Sequence, residues 1–225
     1  MRRKAPMPRG GARHGDIKKD LTQEQLAGIG AATTSFNDLE FELDILVAVS
    51  ISVPSQLLMD VVKRLRGLED KIDIAKLAID HWENMVTFVN APKAYHFSAI
   101  SKSSLGAFTE QKKYRDLIVH SRVYDWANKI GEKIGLKAQH DQILLSEEAL
   151  NWVYKMNVHL TSELNLIRNY VSYVTQHLVY DGSPFPNRLL LVPEALTILS
   201  KTRLHQKERA SLGPAPKFPD EYPTG

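Results

Sequence analysis

The 225-residue chain contains no cysteine. Disulfide staples, thiolate zinc sites and a cysteine nucleophile are therefore excluded, and burial alone must hold the fold. A cysteine-free chain suits a reducing compartment, so the expected location is cytoplasmic. Long apolar runs are also missing. The longest uncharged run, Ile45 to Met59, is interrupted by Ser50, Ser52, Pro54, Ser55 and Gln56. It falls short of the roughly 18 apolar residues that a membrane span takes. The basic start, MRRKAPMPRGGARHGDIKKD, has no apolar stretch behind it and does not read as an export signal. No membrane partner is expected.

Positive charge is scarce where a folded body would carry it. Residues 1–20 hold +5 and residues 201–225 hold +2 of a formal total of +3, which leaves −4 for residues 21–200. That balance does not support a broad basic face for duplex DNA, although the basic arm could still touch nucleic acid or an acidic protein. Seven of the 11 prolines lie beyond residue 180. The expected organisation is a disordered basic tail over 1–20, one helical domain over 21–180, and a Pro-rich, mostly disordered extension over 181–225. There is no internal repeat, and alternating apolar–polar strand patterning is too sparse for a large sheet.

What is present is helical periodicity. Thr22 and Gln25 have capping-box spacing. Behind them Leu26, Ile29, Phe36, Leu39, Leu43 and Leu46 recur three, four or seven residues apart, as one face of a helix does. A second helix is expected over Pro54 to Arg66, and a third from Leu68 to Val89 with the stripe Leu68, Ile72, Ala75, Ile79, Trp82 and Val86. Residues 91–106 read as a loop, and a further helix is expected over 107–123. Ile130 and Ile134 suggest a short helix, and Ile143-Leu144-Leu145 a short strand. From Ser146 the stripe Leu150, Val153, Asn157, Leu160, Leu164, Ile167, Val171, Val174 and Leu178 forms a heptad seam with one polar member. Such a seam packs inside a bundle or pairs two chains. Pro193 opens one short helix, PEALTILS, and the chain beyond Lys201 reads as a tail. The fold class that follows is all-α, an up-and-down bundle of four to five helices.

Familiar site motifs are absent. The run Gly131 to Lys137 lacks P-loop spacing, no Gly-x-Ser-x-Gly elbow occurs, and the eight histidines are scattered without zincin spacing. No metal and no cofactor are expected. One segment carries chemistry: Tyr114-Arg115-Asp116-Leu117-Ile118-Val119-His120-Ser121-Arg122. Arginine holds a phosphate through paired N–H bonds, and histidine moves a proton near neutral pH. Asp116 lies four residues before His120, so its carboxylate can accept an imidazole N–H. On an ideal helix Arg115 and His120 point about 140° apart. They converge only if the helix distorts or ends there, or if a second chain supplies the missing half. Arg122, seven residues after Arg115, would share its helical face.

The segment RDLIVH resembles the R-x4-6-H signature of the HEPN superfamily, in which the arginine is often followed by Asn, Asp or His. The resemblance covers residues of about 30–180. It implies a bundle of four or five helices and a homodimer whose two motifs face each other. It also implies metal-independent cleavage of RNA, with His120 as general acid/base, Arg115 on the phosphate and Asp116 orienting His120. An antitoxin or regulatory protein is the partner it suggests, in a toxin–antitoxin or phage-defence setting. Arg122, Tyr114 and Trp126 are the candidate RNA contacts, although Tyr114 fits the core equally well. Beside this stand three plainer readings. The first is a solvated helix turn with no site. The second is an interaction protein that oligomerises through the 150–178 seam. The third is a nucleotide-binding accessory protein using Arg115 and Arg122. Trp82 and Trp152 read as core; Glu40 and Glu42 read as a solvated face, with the alternative that one of them faces the motif across the bundle.

Overall fold

The computed structural model describes residues 22–51, 67–88, 97–120, 122–125, 134–137, 142–144, 147–177, 187–189 and 192–216. The expected helix over Pro54 to Arg66, the tail over 1–20, Ile130, Leu178 and Trp126 lie outside these residues. For Trp82, His120 and Arg122 the description covers the backbone alone.

The described chain is an all-α bundle with five helices: α1 Gln23–Ser50, α2 Leu68–Met85, α3 Phe97–His120, α4 Glu147–His177 and α5 Pro193–Ser211. The capping box opens α1 as expected. Gln25 N donates to the Thr22 hydroxyl at 3.1 Å and Thr22 N donates to Gln25 Oε1 at 3.0 Å, which satisfies two of the free amides of the first turn. Phe36, Leu39, Leu43 and Leu46 are buried, whereas Leu26 is exposed. They meet Ile72, Ala75 and Ile79 of α2, Phe97, Leu105 and Phe108 of α3, and Leu160, Leu164, Ile167 and Val171 of α4. Full burial of each such side chain favours folding by about 1.5–3 kcal/mol.

Helix directions follow from side-chain pairs. Phe97 stacks on Tyr170, Ser104 bonds Glu163, and Tyr114 meets Trp152, so α3 and α4 are antiparallel. Asp80 with Lys102 and Glu69 with Lys112 make α2 and α3 antiparallel. Arg209 with Glu163 and Gly213 with Trp152 do the same for α4 and α5. Up-and-down alternation therefore holds from α2 to α5. By contrast, α1 and α4 run parallel. Gly28 lies against Leu150, Ser35 against Asn157, and Glu42 against Asn165, three rungs spaced seven residues apart along α1. At the first rung a Cβ on Gly28 would stand 2.8 Å from Leu150 Cδ1, so a larger residue there has to displace the Leu150 side chain.

This pairing answers the question posed by the heptad seam. Leu150, Val153, Asn157, Leu160, Leu164, Ile167, Val171 and Val174 are all buried. Asn157 Nδ2 donates to Ser35 Oγ at 3.0 Å and to Ala32 O at 3.4 Å. The polar member thus fixes register within one chain, and the seam is covered by α1 rather than left open to a second subunit.

The helix expected from Leu68 to Val89 ends at Met85, and Val86–Phe88 is a strand. Three more expectations about helix bounds are corrected. First, α3 starts at Phe97, so much of the stretch read as a loop is helical. Serine and glycine weaken helices by competing for backbone bonds or by flexibility. Here Ser98, Ser101 and Ser104 are buried. Ser98 donates to Asp80 at 2.8 Å and Ser104 to Glu163 at 2.7 Å. Second, α3 ends at His120 rather than Val123, and Arg122 belongs to a strand. Third, α5 continues past Lys201 to Ser211, inside the extension expected to be mostly disordered. Its inner face holds Ala195, Leu199 and Thr202, and further along Gln206 and Arg209 bond to α3 and α4. Gly213, at φ +70°, ends the turn after it, a conformation that suits glycine.

Short strands flank the bundle. β1 Val86–Phe88 pairs in parallel with β5 Asn187–Leu189. β2 Arg122–Asp125, β3 Ile134–Lys137 and β4 Gln142–Leu144 form an antiparallel sheet in the order β2-β3-β4. The strand expected near Ile143 is β4, while Ile134, expected in a short helix, opens β3. Among the described residues no helix is long and apolar enough to cross a membrane.

Candidate functional site

Arg115 sits in the next-to-last turn of α3, on a wall formed with α1 and the start of α2. Its Nη1 donates to Asp116 Oδ1 at 2.9 Å. Its guanidinium carbon stands 5.8 Å from the centroid of the buried Phe36 ring, within range of a cation–π attraction. Phe36 is itself held 5.7 Å from Phe108. Arginine stacked on a fixed ring loses little further freedom when it binds a planar anion.

An open cavity of about 520 Å³ lies in front of it, lined by Phe36, Glu40, Gly67, Leu68, Glu69, Asp70, Lys112, Arg115 and Asp116. Charges alternate along its wall. Glu69 pairs with Lys112 at 2.9 Å, Lys112 with Asp116 Oδ2 at 3.8 Å, and Asp116 Oδ1 with Arg115. The Glu69 hydrogen bond, aided by the charges of Glu69 and Asp116, raises the Lys112 ammonium above its ordinary value against some desolvation. Glu40 stands 3.4 Å from the buried Lys71, which also holds Asp44 at 2.7 Å. The lining thus has four carboxylates against two cations.

The motif residues fall as follows. Arg115 and Asp116 are together, each about one-third to two-fifths exposed. The described contacts of Asp116 are to Arg115 and Lys112. His120 is the last residue of α3, and Arg122 opens β2, so the shared helical face expected for Arg115 and Arg122 does not form. Tyr114 packs edge-on against Trp152 with ring centroids 5.3 Å apart and is not part of the cavity lining. Trp152 in turn donates Nε1–H to Gly213 O at 3.2 Å, tying the end of α5 to α4.

Sequence reasoning missed several polar residues. Of the two acids on α1, Glu40 is the one that lines the Arg115 cavity. Glu42 is likewise engaged, 3.6 Å from Arg168. Glu69 and Asp70 carried the ordinary signal of acids in a first helical turn, and Lys112 is four residues before Asp116, an ion-pair spacing. A separate cluster joins α4 and α5. His159 Nδ1 and His205 Nδ1 stand 3.8 and 3.3 Å from Glu208 Oε2. His205 and Glu208 have helical i,i+3 spacing, a signal visible only once α5 is known to extend this far.

No family model matches the chain, and comparison with curated proteins and with solved structures returns no match.

Proposed function

We propose that this chain is a metal-independent endoribonuclease of the HEPN type, acting as a homodimer through Arg115 and His120. The observation that carries the reading is Arg115, which is stacked on Phe36, partly exposed, and beside a cavity. Arg115 and His120 both lie within α3, where side chains five residues apart diverge by about 140°, so in this reading the imidazole that meets each Arg115 comes from the second subunit.

In this reading Arg115 exchanges Asp116 for an RNA phosphate and stabilises the charge that builds on the phosphoryl oxygens. The 2′-oxygen attacks phosphorus, the bond to the 5′-oxygen breaks, and the products are a 2′,3′-cyclic phosphate and a 5′-hydroxyl. One imidazole takes the 2′-hydroxyl proton and the second subunit's imidazole gives a proton to the leaving oxygen. Asp116 returns Arg115 to its resting position after release. The acidic lining keeps phosphate contacts few, so RNA affinity depends only weakly on salt.

The test is cleavage of a labelled single-stranded RNA in EDTA. The wild-type chain leaves 2′,3′-cyclic phosphate ends. Arg115→Ala and His120→Ala each lower the rate by about 100-fold or more without changing helical circular dichroism. Equal cleavage by all three proteins, or activity that EDTA abolishes, refutes the assignment.

A further inference from the structure

We infer that His159, His205 and Glu208 form a binding site for a divalent transition-metal ion of the zinc class, clipping α5 to α4. The three ligand atoms, one from each residue, all lie within 4.8 Å of one another. A tetrahedral zinc ion with bonds near 2.0–2.1 Å holds its ligand atoms about 3.4 Å apart. Two edges of the triangle already stand at 3.3 and 3.8 Å. Small side-chain rotations therefore close the site without moving backbone.

A second observation concerns the imidazole of His205. Its Nδ1 is shut off from solvent and makes no hydrogen bond among the described residues. A buried polar nitrogen without a hydrogen bond is costly, and it faces the carboxylate of Glu208 3.3 Å away. A metal ion between the two satisfies both. The donor set of two imidazoles and one carboxylate suits zinc and its neighbours rather than magnesium or calcium, which take oxygen donors. Three protein ligands leave a fourth position for water. Solvent reaches it, because the Glu208 side chain is 46% exposed.

The frame around the site is rigid. Arg209, next to Glu208, donates Nε–H to the fully buried Glu163 at 2.8 Å. Gln206, next to His205, donates to Ile100 O at 2.9 Å and to Ser104 Oγ at 3.0 Å. These bonds fix the register of α5 on α3 and α4, and so fix the spacing of the two histidines, whose ring centroids are 6.1 Å apart. None of the three ligands lines the Arg115 cavity. The inference is independent of the nuclease reading, whose chemistry needs no metal.

The experiment is titration of the EDTA-treated full-length chain with Zn²⁺ by calorimetry, followed by the visible spectrum with Co²⁺. One Zn²⁺ binds per chain, and Co²⁺ gives the intense bands of a four-coordinate site. His159→Ala, His205→Ala and Glu208→Gln each weaken Zn²⁺ by more than the ~10- to 100-fold that loss of an outer-shell partner costs, and they abolish the Co²⁺ bands. Helical circular dichroism is unchanged. If an alanine variant loses structure, His205→Gln, which keeps a polar side chain there, gives the same loss of metal. The absence of stoichiometric Zn²⁺ binding overturns the inference. So does binding that persists unchanged in all three variants, since that places the ion on other histidines.

Discussion

Replacing Arg209 by methionine tests the polar joint between α4 and α5. Glu163 is 0% exposed. Its Oε1 accepts from Arg209 at 2.8 Å and its Oε2 from Ser104 at 2.7 Å. Methionine keeps the apolar stem of the side chain and removes the guanidinium, leaving a buried carboxylate with one oxygen unpaired. Stranding a charge in this way costs about 3–5 kcal/mol. The remaining Ser104 bond, and the 13% exposure that lets water approach the arginine position, put the value near the lower end, about 3 kcal/mol. With a urea m-value near 3 kcal/mol/M, the upper part of the usual range, the unfolding midpoint falls by about 1 M. Glu163→Gln should cost less, about 1–3 kcal/mol, because the charge it strands, on Arg209, is 13% exposed and within reach of water, and the amide oxygen still accepts a hydrogen bond. The double variant should then lose at least ~1 kcal/mol less than the two singles together. A midpoint shift under ~0.3 M at unchanged m, or strict additivity, would mean that the carboxylate is solvated in the folded protein and that the reasoning fails.

Two further outcomes are expected. A Cβ at Gly30 has nothing within 4 Å, whereas one at Gly28 meets Leu150. Gly30→Ala should therefore stabilise by about 1 kcal/mol, the helix-propensity difference, and Gly28→Ala should gain less or destabilise; thermal unfolding of both checks this, and equal gains would refute the close approach. Asp80 is held below the ordinary carboxyl value by the Lys102 hydrogen bond first and the Ser98 bond second. A depressed carboxyl stabilises the fold above its unfolded value near 3.9, and that stabilisation is lost as pH falls through the folded value. Urea midpoints measured from pH 7 to pH 3 should thus fall less steeply for Asp80→Asn than for the wild type, and identical slopes would contradict the pairing.

How much of this was legible in the sequence depends on what covers each helix. The faces of α1 and α4 are built from large apolar residues at every turn, from Phe36 to Leu46 and from Leu150 to Val174. Periodicity alone found them, and the Thr22–Gln25 cap marked the start. The first turns of α3 were hidden because Ser98, Ser101 and Ser104 stand where apolar residues usually do. Their partners, Asp80 and Glu163, are far away in sequence. The outer half of α5 was hidden for the same reason, since Thr202, Gln206 and Arg209 give no apolar stripe. At the candidate site, Arg115 and Asp116 were found by their chemistry. Glu69 and Lys112 were not, because only tertiary packing brings them to one cavity with Glu40. Glu163 sits beside Leu164 in α4, and nothing in its local sequence marks it as buried. Its burial follows from Arg209, 46 residues on.

The parallel match of α1 with α4 has a consequence for the order of events during synthesis. Each α1 rung waits for a residue about 122 positions later. At the roughly 5–20 residues per second of translation, the leucine-rich side of α1 stays without its mate for about 6–25 s after it leaves the ribosome. Nascent chains of this protein are therefore most prone to stick to one another, or to recruit a holding chaperone, in the interval before Leu150 to Val174 emerge.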